Sequence, residues 1–318
     1  MKKSFKAILS IVTALMLVLS ACGNGNSSID QKEKKKESSS GSGDYVPEKL
    51  TVQFVPSQNA DTLEAKAKPL EKLLSDKIGI PVEVSVSTNY NTIVEAMKSK
   101  KVDVGFLPPT AYTLAKNEGA ADLLLQAQRF GVNEDGSDSD QLVDHYKSIF
   151  VVKKDSDIED IKDLKGKKIA LQDVSSTAGY TFPVAELLDA GINPLKEMNV
   201  TTVKGHDQAI ISVLNGDVDA AAVFQDARNI VKGDQPNVFK DTKVIADTEN
   251  IPNDTISVRS DLDSKWREKL SQAFKDIVDS KEGHDIISEV YSHENYTDGD
   301  DQNFEIVRKY NKKVNDIQ

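Results

Sequence analysis

The sequence is short of several things that would announce a function. Its 318 residues hold one cysteine, one tryptophan, four histidines and only 6% aromatic residues. A single cysteine excludes an internal disulfide and any cysteine-based metal cluster. The histidines stand at 145, 206, 284 and 293 and show no metal-ligand spacing; His284 and His293 read as surface residues of a polar C-terminal helical stretch. No Gly-x-Ser-x-Gly, no P-loop and no Gly-x-Gly-x-x-Gly occurs. Ser176, His206 and Asp226 follow the order Ser…His…Asp, which differs from the α/β-hydrolase order. An enzyme therefore finds no motif here, and no cofactor or metal is expected. Positive charge is also scarce. Forty Lys and Arg against 51 Asp and Glu give a net charge of −11. An acidic surface argues against nucleic acid as a partner. Any anion would have to be held by a local site.

Long apolar runs are nearly absent. The one candidate, Ala7 to Leu19, follows Lys2, Lys3 and Lys6. It is short for a membrane span and reads as the apolar region of a signal peptide. It ends in Leu19-Ser20-Ala21-Cys22, which resembles the lipobox of bacterial lipoproteins. That resemblance implies a signal peptide over 1–21, cleavage before Cys22 and lipid on its sulfur. Loss of the three lysines leaves a mature net charge of −14. Residues 22–48, rich in Ser, Gly, Lys and Glu, read as a solvated tether with too little apolar surface to fold.

What remains alternates between strand and helix patterns. Leu50 to Val55, Pro81 to Val86 and Val102 to Leu107 read as strands. Leu63, Ala67, Leu70 and Leu74 share one helix face, and Ile93, Val94 and Met97 mark another helix. Pro108-Pro109 stops the third strand, and Thr110 is placed to cap the helix after it. Leu123 to Gln128 and Ser148 to Lys153 read as strands flanking a polar acidic loop, Gly131 to Asp140. The pattern then recurs. Val102-Asp103 follows a helix end and a tight polar turn, and so does Val218-Asp219. Strands fall at 167–172, 199–203, 218–224, 243–246 and 256–258. From Asp263 on the chain reads as helical, apart from a polar turn at Thr297 to Asp301. The fold class is α/β: two similar lobes, each a mostly parallel sheet flanked by helices. Lobe 1 is expected over 49–152 plus 248–318 and lobe 2 over 153–247, with crossings near Lys153 and Asp247.

Candidate site residues fall where strands give way to helices, the usual ligand position in open α/β sheets. Asp173 to Tyr180 is a hydroxyl-rich turn before the helix from Phe182 to Ala190. Ser176 and Thr177 there suit either a plain helix cap or an anion site. His206 suits an anion donor or a cap. From the local sequence alone, Asp226 reads as a helix-cap aspartate and Asp254 as a turn aspartate. Tyr90 opens a helix and offers a hydroxyl.

Together, Asn89-Tyr90, Lys101 to Val104, Asp173 to Gly179, Gly205-His206, Asp217 to Asp226 and Ile251-Pro252-x-Asp254 resemble the phosphonate/phosphite-binding proteins of ABC importers, the PhnD family. The likeness runs from about Leu50 to Tyr291. It implies a type II periplasmic-binding-protein fold with a ligand cleft between lobes that close about a hinge. It further implies that Ser176, Thr177 and the backbone of Ala178 hold phosphonate oxygens together with His206 and Tyr90. Ala178 stands where the family has a serine, a loss of about 1–2 kcal/mol in one hydrogen bond. Asp226 (a Glu in the family) and Asp254 match carboxylates that hold a ligand amine. Leu107 stands in place of a second tyrosine, and Tyr112 is the nearby substitute. The implied role is capture of an aminoalkylphosphonate such as 2-aminoethylphosphonate by a monomeric lipoprotein. It would be anchored through Cys22 to the outer face of the cell membrane and would serve a permease and an ATPase. A phosphite, phosphate or phosphate-ester binder is the alternative, and a surface hydrolase a remoter one.

Overall fold

The structure is a computed structural model that describes residues 43–133 and 135–317. The expected signal peptide, Cys22 and most of the expected tether lie outside the described residues.

Fourteen strands are formed among the described residues. They are β1 (Leu50–Phe54), β2 (Val82–Val86), β3 (Val104–Leu107), β4 (Ala121–Val132), β5 (Asp138–Val143), β6 (His145–Tyr146), β7 (Ser148–Lys153), β8 (Lys168–Leu171), β9 (Asn199–Thr202), β10 (Ala220–Phe224), β11 (Thr242–Asp247), β12 (Ile251–Pro252), β13 (Thr255–Arg259) and β14 (Asn295–Asp298). One sheet has the order β14-β4-β13-β3-β1-β2, with β5 paired to β4; the other has the order β11-β7-β10-β8-β9. The molecule is two-lobed, one lobe to a sheet.

The internal repeat is explicit in the pairing. In the first lobe β1 lies parallel between β2 and β3. In the second, β8 lies parallel between β9 and β10. The repeated aspartates do the same job in each. Asp103 Oδ2 accepts from the Thr51 amide at 2.8 Å, and Asp219 Oδ2 accepts from the Lys168 amide at 2.8 Å. Each ties the start of one strand to the turn before its neighbour. Asp103 also meets Arg259 Nη1 at 3.1 Å, which extends the tie to β13.

Four sequence expectations are corrected. The sheets are mixed: β13, β4 and β14 run antiparallel in the first lobe, and β7 and β11 in the second. β7 belongs to the second sheet, so the first crossing lies at about 143–148 and not at Lys153. There β6 pairs antiparallel with β12 of the return segment, Tyr146 opposite Ile251, so the two crossings form one short ribbon. The polar stretch expected as a loop over 131–140 is the end of a hairpin: β4 runs on to Val132 and β5 starts at Asp138. Asn295 to Asp298 is an edge strand paired to β4 and not part of a helical tail.

The C-terminal helix Glu305–Asn315 packs across both lobes. Asn311 Nδ2 donates to Thr113 Oγ1 at 2.9 Å, while Tyr310 packs its ring 4.6 Å from that of Phe182. Phe182 opens the helix Phe182–Asp189 of the second lobe. The buried apolar core accordingly continues from Tyr112 and Ala115 through Phe304 and Tyr310 to Phe182 and Leu187.

Candidate functional site

The hydroxyl-rich turn is built from a tight local network. Asp173 Oδ1 accepts from the Ser175 amide at 3.0 Å and from its hydroxyl at 2.7 Å. Ser175 is thereby spent on the turn. Ser176 is the cap, its Oγ accepting from the Gly179 amide at 3.2 Å. A wide π-type turn, Thr177–Thr181, then leads into the Phe182–Asp189 helix. The amides of Thr177 and Ala178 find no backbone acceptor among the described residues, as first-turn amides of a helix do not. They are the donors an anion would use. Gly179 is required by close approach: a Cβ there would strike the side chain of Gln172.

Gln172 takes part although no sequence pattern singles it out. Its Oε1 accepts from Ser176 Oγ at 2.7 Å and from Tyr90 Oη at 3.5 Å, while its Nε2 is buried without a partner. An oxyanion at this turn would compete with this oxygen for both protons. Burial holds the Tyr90 phenol protonated, far above its usual pKa. Across the cleft, the Thr110 amide donates to Thr177 Oγ1 at 2.8 Å, and Thr110 Oγ1 donates to Thr181 Oγ1 at 3.0 Å. Thr110 therefore joins the lobes rather than capping its own helix. Accepting that amide leaves the Thr177 hydroxyl proton free to donate.

His206 begins the helix His206–Asn215. Its amide donates to Ser57 O in the other lobe at 2.9 Å. The Phe224 amide donates to His206 Nδ1 at 3.3 Å. Burial pushes the imidazole pKa down to about 3, Asp254 opposing and Arg129 adding to the shift. Nδ1 acts as an acceptor and the ring is neutral, so the proton sits on Nε2.

Tyr90, Ser176, Thr177, Ala178, His206, Asp226 and Asp254 all line one cavity of about 830 Å³ between the lobes. They are not equally available to a ligand. Both oxygens of Asp226 are engaged by Arg228, at 2.8 Å from Nε and 2.7 Å from Nη2, and the pair is buried. Asp226, expected to meet an ammonium group, is already neutralised by protein. Asp254 keeps more freedom: Tyr146 Oη donates to it at 3.4 Å, and Arg129 Nη2 stands 3.9 Å away. Leu107 and Tyr112 do not line the cavity. Leu107 lies buried in β3, and the Tyr112 hydroxyl is given to Asp301.

Arg129, Tyr146, Tyr291 and His293 were missed. Arg129 and Tyr146 face the cavity from β4 and β6. Tyr291 donates to Val55 O at 2.6 Å and lines the cavity beside it. His293, expected on the surface, is fully buried, with Nε2 3.7 Å from Asp254 Oδ2. The tip of the β4–β5 hairpin also reaches the second lobe. Asn229 Nδ2 donates to Gly136 O at 2.9 Å, and residues 135–138 line the cavity mouth.

Two lobes closed on a cavity whose walls supply neutral donors define a bilobed solute-binding protein. The chain belongs to the family of the ABC transporter, phosphonate, periplasmic substrate-binding proteins, whose pattern it matches over residues 52–304. It is 32% identical over 199 residues to the phosphate-import protein PhnD of Mycolicibacterium smegmatis, covering 59% of this chain and 60% of that one. It is 25% identical over 233 residues to the phosphonates-binding periplasmic protein of Escherichia coli, covering 72% and 64%. The matches thus span less than two thirds of either relative. The fold is similar to that of a Prochlorococcus marinus protein solved in complex with methylphosphonate: TM-score 0.73, 19% identity, 85% of this chain and 99% of that one.

Proposed function

We propose that this chain is the solute-binding component of an ABC importer and that its ligand is an organophosphonate. The reading rests above all on the convergence of Tyr90, Ser176, Thr177, the Ala178 amide and the donor tautomer of His206 on one cavity. These groups bring no formal charge. They are preorganised donors for an oxyanion, which suits a ligand that must be released again to a permease. The cavity, at about 830 Å³, is far larger than a bare oxyanion needs. An organic substituent would extend from the donor turn toward Asp254. That carboxylate is the acceptor for an ammonium group, so an aminoalkylphosphonate such as 2-aminoethylphosphonate is favoured over phosphite.

Two relatives support different ligands. The Escherichia coli relative is a phosphonates-binding protein, and the Mycolicibacterium relative is named for phosphate import. Inorganic phosphate is therefore the second reading. It draws on one observation, that Arg228 already occupies Asp226. Isothermal titration with 2-aminoethylphosphonate, methylphosphonate, phosphite and phosphate separates the two. Tightest binding of the aminoalkylphosphonate supports the first reading; preference for phosphate replaces it with the second. Carriage of the protein on the outer face of the cell membrane, through lipid on Cys22, belongs to the same proposal. Labelled palmitate should be incorporated by the wild type and not by Cys22→Ala.

A further inference from the structure

The cavity wall carries a cation for which the protein supplies no full partner. Arg129 is held on β4, its side chain 9% exposed. Its guanidinium carbon lies 4.6 Å from the centre of the Tyr146 ring and 5.9 Å from that of Phe224, so the cation rests against aromatic surface. Its Nε is buried with no hydrogen-bond partner, and its nearest carboxylate oxygen, Asp254 Oδ2, is 3.9 Å from Nη2. A buried guanidinium left this poorly paired is costly. Arg228 is the contrast: it is equally buried, behind a cavity-lining carboxylate, with both arms of its fork closed on Asp226. The open donors of Arg129 therefore face an acceptor that comes from outside.

The charges around Arg129 decide what that acceptor belongs to. Arg129 and Asp254 together sum to zero, and His293 beside them is kept neutral by burial. A lone ammonium placed on Asp254 would sit next to the Arg129 cation. A lone carboxylate placed on Arg129 would sit next to the Asp254 anion. A group bearing both charges a bond or two apart satisfies both side chains at once.

We propose that Arg129 is a specificity-determining residue and that, with Asp254, it recognises an α-amino acid end. The ligand is then a phosphono-amino acid: phosphonate at the Ser176–Ala178 turn, ammonium on Asp254, carboxylate on Arg129. This rests on the organophosphonate reading and sharpens its substituent. It differs from a simple aminoalkylphosphonate by one carboxylate, and that group provides the test.

Calorimetric titration of the wild type with 2-amino-3-phosphonopropionate, 2-aminoethylphosphonate, 3-phosphonopropionate and inorganic phosphate tests it directly. The first should bind at least about ten-fold more tightly than either singly substituted phosphonate, the size of one charge-assisted hydrogen bond. Arg129→Gln should remove that preference, bringing 2-amino-3-phosphonopropionate and 2-aminoethylphosphonate to within about two-fold. Equal or tighter binding of 2-aminoethylphosphonate by the wild type overturns the proposal while leaving the organophosphonate reading intact. A preference that survives unchanged in Arg129→Gln also overturns it. Failure of the parent reading looks different: phosphate binds and none of the three phosphonates does. If Arg129→Gln does not fold, the wild-type ranking alone decides.

Discussion

The Phe224 amide donates to Nδ1 of His206 at 3.3 Å, so one backbone group of β10 selects the tautomer of the imidazole that faces the cavity. The remaining proton then sits on Nε2, the nitrogen left to donate. With the pKa pushed down to about 3 by burial, the ring stays neutral across the physiological range. Nitrogen-detected NMR at pH 5.5 should find His206 as the neutral Nε2–H form. An imidazolium signal there would contradict this geometry.

The same burial gives stability a pH dependence of known sign. The folded pKa of His206 lies below the unfolded value of about 6.5. The unfolded chain therefore takes up the proton first, and stability present above pH 6.5 is lost as pH falls toward 3. The slope from this one group approaches about 1.4 kcal/mol per pH unit. His293, also depressed chiefly by burial, acts in the same direction. Urea unfolding between pH 7.5 and 4.5 should become shallower in pH for His206→Gln than for the wild type. Parallel profiles would show that His206 is not held neutral.

Asp226 is expected to behave as a structural residue. Arg228 takes both of its oxygens, so Asp226→Asn strands a buried guanidinium and should cost about 3–5 kcal/mol of stability. Affinity of the folded fraction for any phosphonate should change by less than about three-fold. A variant of unaltered melting temperature that loses only amine-bearing ligands would return Asp226 to the ligand.

Gly136 marks the point where the β4–β5 hairpin meets the second lobe. Its φ of +80° suits glycine, and a Cβ there would meet the Phe239 ring and Asp226 Oδ2. Gly136→Ala should loosen closure without disturbing either sheet. Stopped-flow measurement should find ligand dissociation at least about five-fold faster, with association nearly unchanged. An unchanged dissociation rate would mean that the hairpin does not hold the lobes together.

Much of this was legible in the sequence, and the rest was hidden for physical reasons. The Val-Asp repeat at 103 and 219 announced duplicated lobes because each aspartate performs the same strand-tying task. The donor turn was legible because Ser and Thr before a helix have a narrow range of uses. Arg129 lies one residue beyond the strand read at Leu123 to Gln128, and alternation in any case cannot distinguish a wet surface from a polar cleft. The left-handed Ser292, φ 55°, ends the Lys281–Tyr291 helix and sends His293 inward, a change of direction that composition does not encode. Asp226 and Arg228 were both visible, but which partner the carboxylate chooses depends on packing around them.

The most direct measurement is titration of a phosphonate panel into the wild type and Tyr90→Phe. The Tyr90 hydroxyl donates to Gln172 over a long 3.5 Å and interacts with Ser176 of the donor turn, so its removal should change the melting temperature little. The wild type should bind a phosphonate well below millimolar, and Tyr90→Phe should bind it at least about ten-fold more weakly. Equal affinity in the two proteins, or no phosphonate bound below about millimolar by the wild type, would contradict the placement of the oxyanion at this turn.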